Sequence, residues 1–298
     1  MRARHLLARR LGSGRARTLA DAPSLEGALA TLEGTAYGRD LSPGMGLAEA
    51  QHSLAETVLW HLRVLSGWVP ASAVEPLRAL AAWFELVNIE ERVGYLMGGE
   101  LRSPFELGGL ATAWPRVAAV QTVSEMRSAL AGSDWGHPGH ETGAWGSALR
   151  LAWARRVLKG IEEAGEWAAG AVALLLAREL TLADGRVEDL VALRPPGVGR
   201  SWSTATTVAA LRALLPVEAG WPLVGIGEPD ELWRAEATWW RRVEDDAERL
   251  SAFAHLGRPT VLGTAVLLGV DAWRTAGALE VAARGGARGS REVFAQIV

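Results

Sequence analysis

A segment near the start of the chain recurs twice further on, and this repeat restricts the folds that the chain can adopt. The first copy, Ser24–Asp40, reads SLEGALATLEGTAYGRD. From Thr122 the chain reads TVSEMRSALAGSDWGHP, which aligns with the first copy without a gap, and a fainter third copy begins at Thr207. A unit that recurs about every 90 residues indicates a repeat architecture, so we expect three copies of one structural unit.

Each copy predicts a helix, and in the first copy the signals include an N-terminal cap. Ser24 is suited to cap the helix N-terminus, and Glu26 lies in the first turn, where the helix dipole favours an anion. The leucines recur on one helical face until Gly34 ends the run. A turn is predicted at Tyr37-Gly38, where the second copy has Trp-Gly, and we expect the tyrosine to anchor that corner.

Composition favours an all-α fold. Alanine and leucine, which are strong helix formers, are abundant, whereas β-branched residues are comparatively scarce and no strand pattern is present. Passages rich in glycine and proline at 98–115 and 194–197 are candidate boundaries. We therefore predict three pseudo-equivalent helical-bundle repeats, which occupy residues 1–110, 111–196 and 197–298.

Hydrophobic periodicity predicts about three principal helices in each repeat. Pro76 is expected at the first position of the third long helix, because proline is well tolerated there. The predicted helices cover residues 1–12, 24–33, 47–65, 77–96, 122–131, 145–161, 167–182, 206–215, 232–254 and 261–283.

Charge and composition exclude several classes of function. The net charge of −3 offers no electrostatic footprint for nucleic acid, and the absence of cysteine excludes disulfides and thiolate zinc sites. The longest apolar runs, Trp167–Ala177 and Val261–Val270, are about half of the roughly 20 residues that span a bilayer. The arginine-rich N-terminus lacks the apolar core of a signal peptide. We expect a soluble intracellular protein that meets a membrane only through a partner.

The acidic run from Glu244 to Glu248 is the sharpest candidate for chemistry. Clustered carboxylates on a helix can hold Mg²⁺ ions that bind a diphosphate, and the run resembles the aspartate-rich motif of class I terpene cyclases. In those enzymes the motif lies early and a second metal-binding motif follows, whereas only 50 residues follow Glu248 here. Arg241 and Arg242 stand four residues before Asp245 and Asp246, so ordinary ion pairs also explain the run. An Mg²⁺-dependent prenyl-diphosphate enzyme stays open as an alternative.

The histidines and glycine-rich segments predict no other site. His137 and His140 supply two ligands, whereas zinc takes about four, and the intervening Pro-Gly indicates a surface loop. Segments 197–201 and 225–227 follow no strand and lack the Gly-Lys-Ser/Thr ending of a phosphate loop. We therefore predict no catalytic, metal-binding or cofactor-binding residue. The remaining histidines are scattered, and they are His5, His52, His61 and His255.

Three features of the first 99 residues together resemble one family. They are an arginine-rich start, a small-Leu-Glu…Leu…Leu…Thr-x-Tyr-Gly pattern over 24–38, and an acid-x-x-Asn step at Glu85 and Asn88. This set resembles the C subunit of V/A-type ATPases, the counterpart of V-ATPase subunit d. The family usually continues with Leu and a basic stretch, whereas this chain has Ile-Glu-Glu-Arg at 89–92.

The resemblance implies a funnel-like, all-helical socket with a mechanical role. Such a subunit is a non-catalytic part of the rotor and binds no nucleotide or other cofactor. Its partners would be the central-shaft subunits of the D and F type and the membrane ring of proteolipid subunits. It would transmit torque for ATP-driven ion (proton) transport or ATP synthesis, and it would lie on the cytoplasmic side, peripheral to the membrane. A stand-alone helical-repeat scaffold that binds another protein is the main alternative.

Arginine pairs on two of the repeats give a hypothesis about the shaft interface. The second helix of the first repeat carries Glu-Thr at 56–57, whereas the equivalent positions of the other two repeats carry arginines. If these positions face the socket, its lining is asymmetric and could set the angular seating of the shaft. The alternative, that they face solvent, stays open. The candidate interface residues are Arg155, Arg156, Arg241 and Arg242.

Overall fold

A computed structural model describes residues 2–181, 187–252 and 257–297. Over these residues the chain is helical and contains no strand, which confirms the predicted all-α class. The helices are α1 Arg2–Leu7, α2 Gly12–Ala20, α3 Leu25–Leu32, α4 Leu47–Ser66, α5 Ala71–Leu96, α6 Trp114–Val117, α7 Val123–Ala131, α8 Trp145–Gly160, α9 Gly165–Thr181, α10 Val187–Leu193, α11 Val208–Leu214, α12 Val217–Gly220, α13 Leu232–Ser251, α14 Arg258–Ala283 and α15 Arg288–Ile297.

The chain divides into two compact units. The first unit combines Met1–Ala73 with Trp240–Val298, and the second unit is Val74–Trp239. Helices α5 and α13 therefore each run across a unit boundary. The division into three repeats, and their arrangement as a socket, stay predictions.

Helix α14 is the centre of the first unit. It contacts α1, α2, α3, α4 and α15, and its buried residues lie on all sides, as expected for a helix that is apolar all round. Gly263 allows α13 to approach α14 closely, because a Cβ at this position would lie 2.5 Å from the carbonyl oxygen of Ala247. The first unit is therefore built around one central helix by segments from both ends of the sequence.

The described residues of the second unit form two hydrophobic cores. One core joins α5, α6, α7 and α8, and it includes Leu86, Met126 and Trp145. The other core joins α8 and α9 to α10, α11 and the start of α13, and it includes Leu176 and Leu211. In each core a long helix packs with the capped helix that opens the next copy of the repeat. In the first unit, α14 contacts α3 in the same way.

The helix cap predicted at Ser24 is confirmed, and the aligned residues of the other two copies cap their helices in the same way. In each copy the residue before the helix has an extended backbone, and its side-chain oxygen accepts a hydrogen bond from the backbone N–H three residues later. The caps are Ser24 on Gly27 at 3.2 Å, Thr122 on Glu125 at 3.1 Å and Thr207 on Ala210 at 3.1 Å.

The turn after the capped helix has the same hydrogen bonds in the first two copies. A hydroxyl donates to the carbonyl three residues earlier and accepts from the backbone N–H two residues later. The donating bonds are Thr35 to Leu32 at 2.6 Å and Ser133 to Leu130 at 2.7 Å, and the accepting bonds are from Tyr37 and Trp135, both at 3.2 Å. The sequence repeat therefore corresponds to a repeated local structure.

Several helix boundaries differ from the prediction. Helix α5 begins at Ala71, so the expectation that Pro76 starts this helix is wrong, and the proline lies inside it. Because Pro76 comes only one turn after the helix start, its missing N–H leaves only an early carbonyl without its partner. The single helix predicted for residues 1–12 is also wrong, because α1 ends at Leu7 and α2 begins at Gly12. The predicted end at Ala254 lies outside the described residues.

Candidate functional site

The carboxylate of Asp271 on α14 is almost fully buried and joins three parts of the first unit. It accepts hydrogen bonds from the backbone N–H groups of Leu11 and Gly12 and from the hydroxyl of Tyr37, all at 2.8 Å. The two N–H groups lie at the start of α2, where a helix favours an anion. Asp271 therefore holds both this helix start and the turn of the first repeat copy, and Tyr37 anchors the corner as expected.

Glu85 on α5 binds the start of a helix in the second unit, as Asp271 does in the first. Its side chain is fully buried, and it accepts hydrogen bonds from the backbone N–H groups of Thr112 at 3.0 Å, of Ala113, and of Trp114 at 2.5 Å. The hydroxyl of Thr112 adds a fourth bond at 2.7 Å. These groups lie at the start of α6, the short helix before the second repeat copy, so both acidic residues fix the entry to a copy of the repeat.

The polar residue three positions after each buried acid also holds the fold, and it is Asn88 after Glu85 and Arg274 after Asp271. The amide of Asn88 pairs with both backbone groups of Phe105, whose N–H donates to Oδ1 at 2.7 Å and whose carbonyl accepts from Nδ2 at 2.9 Å. The guanidinium of Arg274 donates to both carboxylate oxygens of Glu244, at 3.1 and 2.6 Å. Asn88 and Arg274 are both buried. These polar groups therefore serve packing within their own units.

Two of the four candidate interface arginines bind the ends of helices. Arg155 on α8 is exposed, and its Nη2 donates to the carbonyl oxygen of Leu193 at 3.1 Å, at the end of α10. Arg241 on α13 is exposed, and its Nη2 donates to the carbonyl oxygen of Gln296 at 3.2 Å, near the end of α15. Cations at these positions stabilise the negative end of a helix. The aligned arginines thus have equivalent structural contacts.

The other two candidate arginines are partly buried and have different surroundings. Arg156 lies over the ring of Trp135 at 5.0 Å and donates to the Thr112 hydroxyl at 3.3 Å. Burial lowers the pKa of Arg156 from its ordinary value, and nearby carboxylates oppose that shift. The Nε of Arg242 lies 4.0 Å from Asp246. Arg155 and Arg156 belong to the second unit, whereas Arg241 and Arg242 belong to the first. A role of these arginines at a shaft interface stays a prediction.

The acidic run on α13 is engaged in ion pairs. Glu244 binds Arg274, and Asp246 pairs with Arg249. Asp246 also pairs with Arg242, which is one of the two i,i+4 ion pairs expected from the sequence. Asp245 is exposed. Within residues 2–181, 187–252 and 257–297, no group of three histidine, aspartate or glutamate side chains is arranged to hold a metal ion.

The histidines occupy separate environments. His137 and His140 lie in a loop with their ring centroids 5.3 Å apart. His61 is buried in α4, where burial lowers its pKa and the positive charge of Arg9 lowers it further. His255 lies outside the described residues.

Large apolar side chains are exposed on both units. On the first unit, Trp68 has 61% of its surface exposed, and the guanidinium of Arg39 lies over the ring of Trp60 at 5.3 Å. On the second unit, Leu101 and Val217 are 65% and 85% exposed. In the described part of the chain, no helix combines the length and the apolar character needed to cross a membrane.

Sequence reasoning missed the hydrogen bonds that buried carboxylates make to backbone groups far away in the chain. Asp271 and Leu11 are 260 positions apart, and their hydrogen bond lies at the start of α2.

Comparison with models of protein families and with curated proteins gives no match for this chain.

Proposed function

We propose that this chain is a non-catalytic, all-helical docking subunit, similar in role to the C/d subunit of V/A-type ATPases. In that role it joins the central-shaft subunits to the membrane ring of proteolipids and transmits torque between them. The proposed architecture is a socket of three helical repeats with boundaries near residues 110 and 196. The proposed place of action is the cytoplasmic face of the membrane.

The observation that carries this proposal is the recurrent entry into each repeat copy. A hydroxyl caps the opening helix in all three copies, and a long helix packs against it each time. In the first two copies a buried carboxylate on that long helix also holds the preceding short helix. Repeated helical units that pack in this way are typical of proteins that present shaped surfaces to partners.

The polar residues that carry the family resemblance support a structural role for this segment. Tyr37 donates its hydroxyl to Asp271, and Glu85 and Asn88 each bind backbone groups of the second unit. Each of these side chains therefore holds part of the fold, as a structural role for this segment requires. The exposed tryptophan and leucine side chains described above add apolar area to the surface of each unit, which a protein partner would use.

Co-purification from native membranes tests the proposal. The full chain with an affinity tag is expressed in its own host, membranes are solubilised in mild detergent, and the captured proteins are identified by mass spectrometry. We expect the shaft and proteolipid subunits of a rotary ATPase in the captured fraction. Recovery of the tagged chain with an unrelated complex would contradict the rotor role and support the scaffold alternative. Mg²⁺-dependent turnover of a prenyl diphosphate, lost when Asp245 and Asp246 become alanine, would support the enzyme alternative.

Charge reversal at Arg155 and Arg241 tests the shaft hypothesis separately. We expect Arg155→Glu with Arg241→Glu to weaken capture of the shaft, while Arg178→Glu, at an exposed position of α9, leaves it unchanged. Because both arginines also bind helix ends, melting temperatures of all variants are needed as a control. Normal shaft capture by the folded double variant would refute the interface and leave the rotor proposal standing.

A further inference from the structure

Two exposed histidines lie side by side in the loop between α7 and α8. The ring centroids of His137 and His140 are 5.3 Å apart, and the ring planes are tilted by 58°, so the two imidazoles are not stacked on each other. Neutral imidazole is the commonest side-chain ligand of metal ions such as zinc and copper. The loop therefore presents two metal-ligand groups to solvent at close range.

The sequence of the loop explains why the two rings meet. It reads His-Pro-Gly-His, and Pro-Gly favours the two central positions of a tight turn, which brings the flanking residues together. Gly139 has a φ of 98°, in the left-handed region that glycine adopts without strain. Pro138 is buried, so the turn is anchored on the protein while the two histidines at its ends face solvent.

Hydrogen bonds from both neighbouring helices brace the loop. The indole N–H of Trp145, the first residue of α8, donates to the carbonyl oxygen of Gly139 at 3.3 Å. The guanidinium of Arg127 on α7 donates to the carbonyl oxygen of His140 at 2.8 Å. Trp145 is almost fully buried, so the loop is tied to a core of the second unit. A backbone that is already held in place loses less entropy when a ligand binds.

The separation of the two rings matches the geometry of a zinc site. A zinc–nitrogen bond of about 2.1 Å, with about 1.1 Å from nitrogen to ring centre, places two ring centres about 5.2 Å apart at the tetrahedral angle. The observed separation is 5.3 Å. The two side chains therefore already have the spacing that one shared ion requires.

In the described part of the chain, neither imidazole is hydrogen-bonded to another element of the fold. The Nδ1 of His137 accepts a hydrogen bond from the backbone N–H of Gly139 at 3.1 Å, within the loop itself. A bound ion replaces this bond, and because the bond is exposed, the freed N–H can bind water. The first repeat copy has Arg39 at the position of His137, so the pair is not part of the packing that the copies share.

We propose that His137 and His140 together bind one Zn²⁺ ion, each through a ring nitrogen. Imidazole nitrogen suits zinc and neighbouring transition metals, whereas Mg²⁺ and Ca²⁺ prefer oxygen ligands. The site is an addition to the docking function proposed above and does not depend on it.

The surroundings of the pair set the strength of binding. Zinc takes about four ligands, and among the residues that the structure describes no third histidine, aspartate or glutamate completes a group of three. The positive charge of Arg127 beside His140 also opposes a cation. Because water fills the remaining positions, we expect a dissociation constant of about 10–100 µM, far weaker than that of a structural zinc site.

Titration of the full-length protein with zinc chloride tests the inference by two measurements. Isothermal titration calorimetry gives the affinity and the stoichiometry, and NMR of the histidine Hε1 protons shows which of the six imidazoles respond. The variants are His137→Gln and His140→Gln. His5→Gln is the matched control, because His5 is an exposed histidine of the first unit, and magnesium chloride is the control ion. Melting temperatures show whether each variant is folded.

We expect one Zn²⁺ per chain and shifted signals from two histidines. Either loop variant should lose at least about tenfold in affinity, whereas the control variant should bind as the parent does. Because protons compete with the ion for imidazole nitrogen, binding should weaken between about pH 7.5 and about pH 5.5. No saturation below about 1 mM Zn²⁺, unchanged binding by folded His140→Gln, or equal binding of Mg²⁺ would overturn the inference.

Discussion

Two glycines at aligned positions of the repeat are required for different physical reasons, and this difference can be tested. Gly38 has an ordinary backbone conformation, but an added Cβ would lie 2.5 Å from the carbonyl oxygen of Leu32 and 3.1 Å from the Cα of Glu33. Gly136, its counterpart in the second copy, has open space around it, but its φ of 72° lies in the left-handed region. Steric contact therefore demands glycine at the first position, and backbone conformation demands it at the second.

The geometry gives the size of each effect. At Gly38 the new Cβ lies 0.9 Å inside the 3.4 Å at which ordinary contact begins (3.4 − 2.5), and both obstructing atoms belong to the backbone. Overpacking costs about 1–3 kcal/mol, and a rigid neighbour places Gly38→Ala in the upper part of that range. At Gly136 an alanine costs about 1–2 kcal/mol for the left-handed conformation alone.

Substitution by asparagine separates the two causes. Asparagine adopts the left-handed conformation more readily than alanine, so Gly136→Asn should destabilise less than Gly136→Ala. At Gly38 asparagine brings the same Cβ and more volume, so Gly38→Asn should destabilise at least as much as Gly38→Ala. The order of the two substitutions is therefore expected to reverse between the two positions.

Thermal and urea unfolding, followed by far-ultraviolet circular dichroism, measure these changes. A loss of 1 kcal/mol corresponds to roughly 2–4 °C in melting temperature for units of this size. Gly14→Ala in α2 is the matched control, because this glycine is helical with open space around it, and alanine there should stabilise by about 0.5–1 kcal/mol. If Gly38→Ala melts like the parent, or if asparagine is milder than alanine at Gly38, the steric argument is wrong.

Three further predictions concern buried ionisable groups of the first unit. Tyr37→Phe removes a hydroxyl donor to buried Asp271 and should lower the free energy of unfolding in urea by about 1.5–3 kcal/mol. Its effect should be non-additive with that of Asp271→Asn, and additive effects would contradict a hydrogen bond between the two side chains. Burial and the charge of Asp271 raise the pKa of Tyr37 well above its ordinary value of 10.0, so the unfolded chain releases this proton first. Its contribution to stability is therefore present below about pH 10 and lost at higher pH, and Tyr37→Phe should flatten the alkaline decline in melting temperature. Burial lowers the pKa of His61 below 6.5, so the unfolded chain takes up the proton first as the pH falls. Stability should therefore decrease as the pH drops through about 6.5, and His61→Asn should remove this decrease.

The helices and their caps could be predicted because their signals are local. Ser24, Thr122 and Thr207 each act on a backbone N–H only three residues away, and the leucine spacing of each helix reports its own buried face. The position of Pro76 could not be inferred in the same way. Proline is tolerated both at the start of a helix and, at some cost, within it, and only the observed helix shows that Ala71 comes first.

The candidate arginines show what a repeat alignment can predict about side-chain contacts. It aligned Arg155 with Arg241, and in the structure both bind the carbonyl end of a short helix. Those short helices, α10 and α15, were not predicted, because seven to ten residues carry too weak a periodic signal. The alignment therefore identified equivalent positions without identifying what they contact.

The sequence by itself determined the all-α class, the capped helix of each repeat copy and the turn at Tyr37, because these depend on neighbours within a few residues. Tertiary structure decided where the chain breaks between α1 and α2, since the N–H groups of Leu11 and Gly12 find their acceptor on Asp271, about 260 positions away. It also decided that Glu85, Asn88 and Asp271 bind backbone groups inside the fold. Interactions between distant segments depend on packing, which no local pattern of residues encodes.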